Sequence, residues 1–185
     1  MSINHKLSIA DIITLFRIVG TVLLVVLHPF STSFFCVYAL AGLTDVLDGW
    51  IARKTKTTSD FGARLDSVAD LLFYAVMLFR VLPFLWKVLS NDIWCAVIAI
   101  IIVRISAYLV AAVKYHQFVF LHTYLNKLTG VMVFFIPFLL VTAYTSAYCI
   151  VTCVIAIVAA LEELAIHFQR QTYQPNIKSI FQKER

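Results

Sequence analysis

Charge is scarce in this chain. Of 185 residues, 14% are Asp, Glu, Lys or Arg and 62% are hydrophobic. A soluble domain carries about 25% charged and about 45–50% apolar residues. One water-soluble core of this size could not hide so much apolar surface. The mean hydropathy of +0.90 agrees. Cysteine is sparse too. Cys36, Cys95, Cys149 and Cys153 fall in or beside apolar runs, outside any paired Cys-x-x-Cys framework. That excludes a disulfide scaffold or thiolate zinc site and leaves them as small hydrophobes. No Gly/Ser- or Pro-rich linker divides the chain, and no repeat or low-complexity tract appears. The first apolar run lacks the small-residue cleavage pattern of a signal peptide and reads as a retained helix. The net charge of +5 is carried on so few residues that it fits an anionic lipid surface better than nucleic acid.

What the chain does have is six apolar segments: Ile12 to Leu27, Thr32 to Trp50, Phe61 to Trp86, Ile93 to Val113, Leu125 to Val141 and Ala147 to Ile166. A helix needs roughly 20 residues to cross the hydrocarbon core. Several segments are near or slightly under that length, so tilt and helical extensions are expected. The alternating ten-residue segments of a spanning β-barrel are missing, and unpaired backbone is too costly in lipid for irregular structure. The expected fold is an all-α polytopic membrane protein. Six transmembrane helices form one bundle over residues 1–166, and 167–185 form a polar cytoplasmic tail lying along the membrane surface.

Basic residues set the orientation. The connection between segments one and two has no formal charge, nor has that between five and six; Lys87 and Asp92 cancel between three and four. Arg53, Lys54, Lys56 and Arg64 lie between two and three, Lys114, His116, His122 and Lys127 between four and five, and Arg170, Lys178, Lys183 and Arg185 in the tail. These connections alternate onto one side, which the positive-inside rule assigns to the cytoplasm. Both termini are expected there, in a cell membrane.

Four carboxylates stand out against this background. Asp45 and Asp48 are three residues apart and Asp66 and Asp70 four apart, so each pair shares a helix face. The short connection makes the two helices antiparallel neighbours, and the four carboxylates can converge at their cytoplasmic end. Unpaired, they would repel one another in a partly dehydrated site. Arg53 or Arg64 could relieve part of that repulsion. Two divalent cations, which prefer hard oxygen ligands, would resolve it and suit displacement at phosphorus. Gly49 and Gly62 permit close approach of a ligand or helix, and Arg53 can donate to a phosphate. Isolated acidic residues near helix ends are often caps, as Asp60 before Phe61 is expected to be. Four at this spacing are a functional site by default.

The string Asp45-x2-Asp48-Gly49-x2-Ala52-Arg53-x8-Gly62-x3-Asp66-x3-Asp70 resembles the signature of the CDP-alcohol phosphatidyltransferases at every motif position. The resemblance implies an integral membrane enzyme, commonly a homodimer. Such an enzyme transfers a phosphatidyl group from CDP-diacylglycerol to a small polar alcohol and releases CMP, using two Mg²⁺ or Mn²⁺ ions. It further implies that Asp45, Asp48, Asp66 and Asp70 bind metal and that Asp70 is the general base. Gly49, Ala52, Arg53, Gly62 and Asp66 would form the CDP pocket. The acceptor stays open among glycerol 3-phosphate, serine and inositol or its phosphate. Leu65-Asp66-Ser67-Val68-Ala69-Asp70-Leu71 lacks the Pro and Lys often found in phosphatidylglycerophosphate synthases.

Other polar residues allow two readings. Asp11-x2-Thr14-x2-Arg17 resembles the family's Asn-x2-Thr-x2-Arg pattern, with Asp first; Arg17 either joins the site or snorkels to headgroups. Arg104, in mid-segment, either binds an anionic acceptor or pairs with an interior carboxylate. Lys127 reads as a snorkelling residue in an ordinary helix start, and Glu162 and Glu163 either line a cavity or mark the interface. A cation channel or transporter is the competing function; it would need polar groups running through the membrane, whereas the strong cluster sits at one end.

Overall fold

The computed structural model describes residues 9–55, 60–116, 121, 123–171, 173 and 177–182; it leaves aside the side chains of 9–10, 45–46, 48–61 and 63. Among the described residues there are six helices and no strand. They are α1 (Ile9–Val26), α2 (Thr32–Thr55), α3 (Asp60–Val88), α4 (Asn91–Tyr115), α5 (Tyr124–Leu139) and α6 (Thr145–Gln169). Arg64–Val88 within α3, together with α4 and α6, are long and apolar enough to cross a membrane; the apolar helices Thr32–Thr44 and Tyr124–Leu139 are shorter. The chain is thus the all-helical membrane type expected from its composition. Its helices group into two compact units, Met1–Lys87 and Val88–Arg185.

In the first unit, α1 is inside-out relative to a soluble helix. Asp11, Thr14, Arg17 and Thr21 are buried, while Ile12, Leu15, Phe16, Val19, Val22, Leu23, Val25 and Val26 are exposed. Spacings of three and four put the polar residues on one face. Lipid accepts the apolar face, and the polar groups need partners inside protein. The α1–α2 turn is closed by Ser31, whose hydroxyl donates to the His28 carbonyl at 2.8 Å and accepts from Phe34 N–H at 3.2 Å. Tyr38 on α2 stacks on Phe73 of α3 with centroids 5.6 Å apart, and Phe30 meets Phe84 edge-on at 4.6 Å. Arg80 donates to the Leu27 carbonyl just beyond the end of α1, where the helix leaves its last carbonyls without internal partners.

Two differences from the sequence reading bear on function. Helix α2 continues past Trp50 to Thr55, so Gly49, Ala52 and Arg53 are helical residues. No breaker follows Asp48, and a helix leaving the hydrocarbon has no reason to stop there. At 29 residues α3 is about 43 Å long at about 1.5 Å per residue, longer than the ~30 Å hydrocarbon core. In the second unit, described residues after α6 pack back against it. Ile177 is buried against Leu121 and Ile166, with Tyr173 and Ile180 packed on the cluster. Tyr124 N–H donates to the Lys178 carbonyl at 3.0 Å. Three apolar residues in the tail, too few to register against its polar composition, supply that anchor.

Gly20 marks the close approach of α1 to α2. A Cβ built there meets Val37 Cγ1 at 3.7 Å and Ala41 Cβ at 4.0 Å, both ordinary contacts. Gly20→Ala is therefore expected to keep or raise the melting temperature in detergent, by up to about 1 kcal/mol of stability. Gly20→Leu should lower it by prying the helices apart, and equal melting of the two variants would contradict this packing.

Candidate functional site

Asp66 and Asp70 lie one turn apart on α3, with side chains 44% and 42% exposed. Opposite them is Arg17 of α1, whose side chain is 1% exposed. One terminal nitrogen of its guanidinium donates to Asp70 Oδ1 at 2.6 Å, and the other donates to Asp66 Oδ1. A guanidinium is a planar fork, so it can hold two carboxylates one helical turn apart, which a lysine point charge cannot match. Thr21 Oγ1 donates to the Arg17 carbonyl at 2.8 Å, using its hydroxyl within the helix. Arg17 therefore does not snorkel. It pairs with the two motif carboxylates of α3, and Asp11 and Thr14 are buried on the same helix face.

Asp45 and Asp48 sit three residues apart on α2. Their side chains, with those of Gly49, Ala52 and Arg53, lie outside the described residues, and so does the connection 56–59. Gly62 falls in the first turn of α3, half-buried. Among the described residues no three His, Cys, Asp or Glu side chains come together as a metal-holding group. The described pair still has the right chemistry. Asp66 and Asp70 offer hard oxygen ligands on one face, partly open to solvent, as a Mg²⁺- or Mn²⁺-type ion requires.

Arg104, in the second unit, takes the pairing role. It donates to Glu163 Oε2 at 3.0 Å and to Asn126 Oδ1 at 2.9 Å. Asn126 Nδ2 in turn donates to Glu163 Oε2 at 3.1 Å and to the Leu121 carbonyl at 2.8 Å, and Leu121 N–H donates to Glu163 Oε1 at 3.3 Å. Glu163 is 1% exposed, so this network neutralises a buried charge and fastens the α4–α5 connection to α6. Glu162 performs a similar service for the tail, accepting from Ser179 Oγ at 3.1 Å and Ile180 N–H at 3.2 Å. Lys114 donates to the carbonyls of His167 and Phe168 at the end of α6, at 2.8 and 3.0 Å. Lys127 is exposed on α5, as expected of a snorkelling residue.

Sequence reasoning missed Asn126 as a side-chain hub and Arg80 as the partner of the Leu27 carbonyl. Arg80 could have been flagged as a charge within an apolar run; nothing local marks Asn126, whose partners come from three separate segments.

Comparison with known proteins adds to this geometry. The sequence pattern described as CDP-alcohol phosphatidyltransferase matches residues 7–162. A CDP-diacylglycerol–serine O-phosphatidyltransferase of Methanocaldococcus jannaschii is 40% identical over 75 residues, 40% of this chain and 35% of that protein. Two CDP-diacylglycerol–glycerol-3-phosphate 3-phosphatidyltransferases are also similar. That of Wigglesworthia glossinidia brevipalpis is 39% identical over 84 residues, 43% of this chain and 46% of the relative. That of Haemophilus influenzae is 32% identical over 105 residues, 53% of each. The matched stretches thus span between 35% and 53% of these relatives' lengths.

Glu163→Ala strips Arg104, Asn126 and the Leu121 N–H of their common acceptor. Removing one partner of a buried ion pair costs about 3–5 kcal/mol, so a marked fall in melting temperature in detergent is expected. Glu163→Gln combined with Arg104→Gln should recover part of the loss seen in Glu163→Gln alone, read as a double-mutant cycle. Strict additivity would show that the pair is not coupled.

Proposed function

The chain belongs to the CDP-alcohol phosphatidyltransferase family, and from that premise we propose that it transfers a phosphatidyl group from CDP-diacylglycerol to a small polar alcohol, releasing CMP. The observation that carries the reading is the family's motif, Asp45 to Asp70, complete in sequence and lying within the matched region. Its third and fourth carboxylates share one face of α3. Relatives named for serine and for glycerol 3-phosphate both appear, so the acceptor class is a small polar alcohol.

In this reading Asp45, Asp48, Asp66 and Asp70 hold two divalent cations, Mg²⁺ or Mn²⁺. When bound, they neutralise the diphosphate and favour displacement at phosphorus. Gly49, Ala52 and Gly62 leave room for the nucleotide, and Arg53 meets the diphosphate with its fork. Asp66 belongs both to the metal set and to the CDP pocket. The acceptor hydroxyl gives its proton to the Asp70 carboxylate as its oxygen attacks the β-phosphorus. The bond from that phosphorus to the bridging oxygen breaks, and its electron pair leaves with CMP.

The six helices each cross the membrane, with both termini and the motif on the cytoplasmic side, where basic connections cluster. Donor acyl chains lie in lipid against the helices, and the chain works as a homodimer. A channel is the weaker alternative: the buried polar stripe of α1 ends at Thr21 and gives way to fully buried Leu24, which supports a one-ended site.

The test is CMP release. Purified protein with Mn²⁺ or Mg²⁺ and CDP-diacylglycerol should release CMP when serine, glycerol 3-phosphate, inositol or inositol phosphate is supplied, with one acceptor strongly preferred. Asp66→Asn is expected to lower the rate by at least about 10³-fold, in keeping with loss of a group that acts on developing charge. Silence with every acceptor, or full activity of Asp66→Asn, would overturn the reading.

A further inference from the structure

We propose that Arg17 is a tethered competitor for the divalent cation: it occupies Asp66 and Asp70 in the absence of metal and must yield carboxylate oxygens before metal binds. The proposal rests on the metal reading above and adds a role for an α1 residue that sets how tightly metal is held. Three observations carry it. The guanidinium does not meet one carboxylate broadside but divides its two terminal nitrogens between Asp66 and Asp70, the two groups assigned to metal on α3. Its side chain is 1% exposed, whereas the carboxylates are 44% and 42% exposed. Each carboxylate therefore meets arginine and still keeps more than 40% of its side chain exposed. A cation arriving from solvent meets oxygens whose charge is already partly neutralised. Finally, Arg17 belongs to the buried stripe Asp11, Thr14, Arg17 and Thr21 of α1, so the competing charge is fixed to the α1 face beside the carboxylates.

The physical consequence is a threshold. Two adjacent carboxylates in a partly dehydrated site would repel each other and take up metal avidly. With one covalently attached positive charge between them, the unloaded site is stable, and metal must outcompete an intramolecular ion. Metal binding alone is weakened. Removing a single neighbouring positive charge is worth roughly a factor of ten in cation affinity.

The experiment measures Mn²⁺ binding to full-length protein in detergent, without nucleotide or acceptor, by the electron paramagnetic resonance signal of free Mn²⁺. Arg17→Gln is expected to bind Mn²⁺ roughly tenfold more tightly than the parent. Its melting temperature should fall in EDTA and rise more on adding Mn²⁺ than the parent's does, because a ligand stabilises by mass action. A merely structural Arg17 would give equal or weaker binding in the variant, and that result overturns the proposal. If neither protein binds Mn²⁺, the metal reading itself fails and this inference falls with it. Should Arg17→Gln not yield folded protein, Arg17→Lys decides, since it keeps the charge and loses the fork. It should bind Mn²⁺ a few-fold more tightly than the parent, and unchanged or weaker binding again overturns the proposal.

Discussion

A charge carried into hydrocarbon must be neutralised within the protein, and this constraint arranges both units. An unpartnered Arg or Asp at the centre of a spanning helix costs at least about 2.5–3.5 kcal/mol on insertion scales. Arg17 meets Asp66 and Asp70, and Arg104 meets Glu163 and Asn126. Between helices in lipid there is little hydrophobic drive, because lipid tails are as apolar as leucine. Polar contacts therefore decide which helix faces meet. The buried face of α1 is polar from Asp11 to Thr21 and turns apolar only at Leu24. For Arg17 the partners come from α3, and for Thr21 from the Arg17 carbonyl of its own helix.

The same constraint links fold to site. Helix α3 is longer than the hydrocarbon core, and its two aspartates fall in its first turns, where water can still reach them. The packed aromatic pairs Tyr38–Phe73 and Phe30–Phe84 hold α3 to α2 and to the α1–α2 turn at points farther along its length. Arg80 adds a polar tie to the Leu27 carbonyl. The carboxylates are thus held from below by packing and from one side by Arg17. Their side chains nevertheless stay more than 40% exposed.

Periodicity and composition made the six helices legible, and the motif marked Asp66 and Asp70, which lie one turn apart on α3 beside Arg17. Boundaries were less so: α2 runs to Thr55 because no glycine or proline stops it after Asp48, apart from Gly49, which a helix tolerates. Arg17 was ambiguous from sequence alone. Its spacing from Asp11 and Thr14 marked a shared face, but its partners lie 49 and 53 residues away, and no local pattern encodes such a pairing. Asn126 and Glu163, 37 residues apart, were hidden for the same reason. The tail's packing was masked by its polar composition; Ile177, buried to 3%, sits beside Leu121 and Ile166 with Tyr173 and Ile180 packed on the cluster.

The two buried arginine networks use the same chemistry under different solvent access, and that difference separates their roles. Glu163 is 1% exposed and gives its oxygens to Arg104, Asn126 and the Leu121 N–H together. Displacing Arg104 from it would strand a buried carboxylate, a penalty of several kcal/mol. An anionic acceptor offers Arg104 no gain that offsets this, so the network is a fastening. Asp66 and Asp70 are more than 40% exposed, and water can solvate them whenever Arg17 moves. The cost of exchange there falls on the buried Arg17 guanidinium and not on the carboxylates. A carboxylate pair that water can solvate is not stranded when its cation is exchanged, and among the described residues α3 presents such a pair beside Arg17.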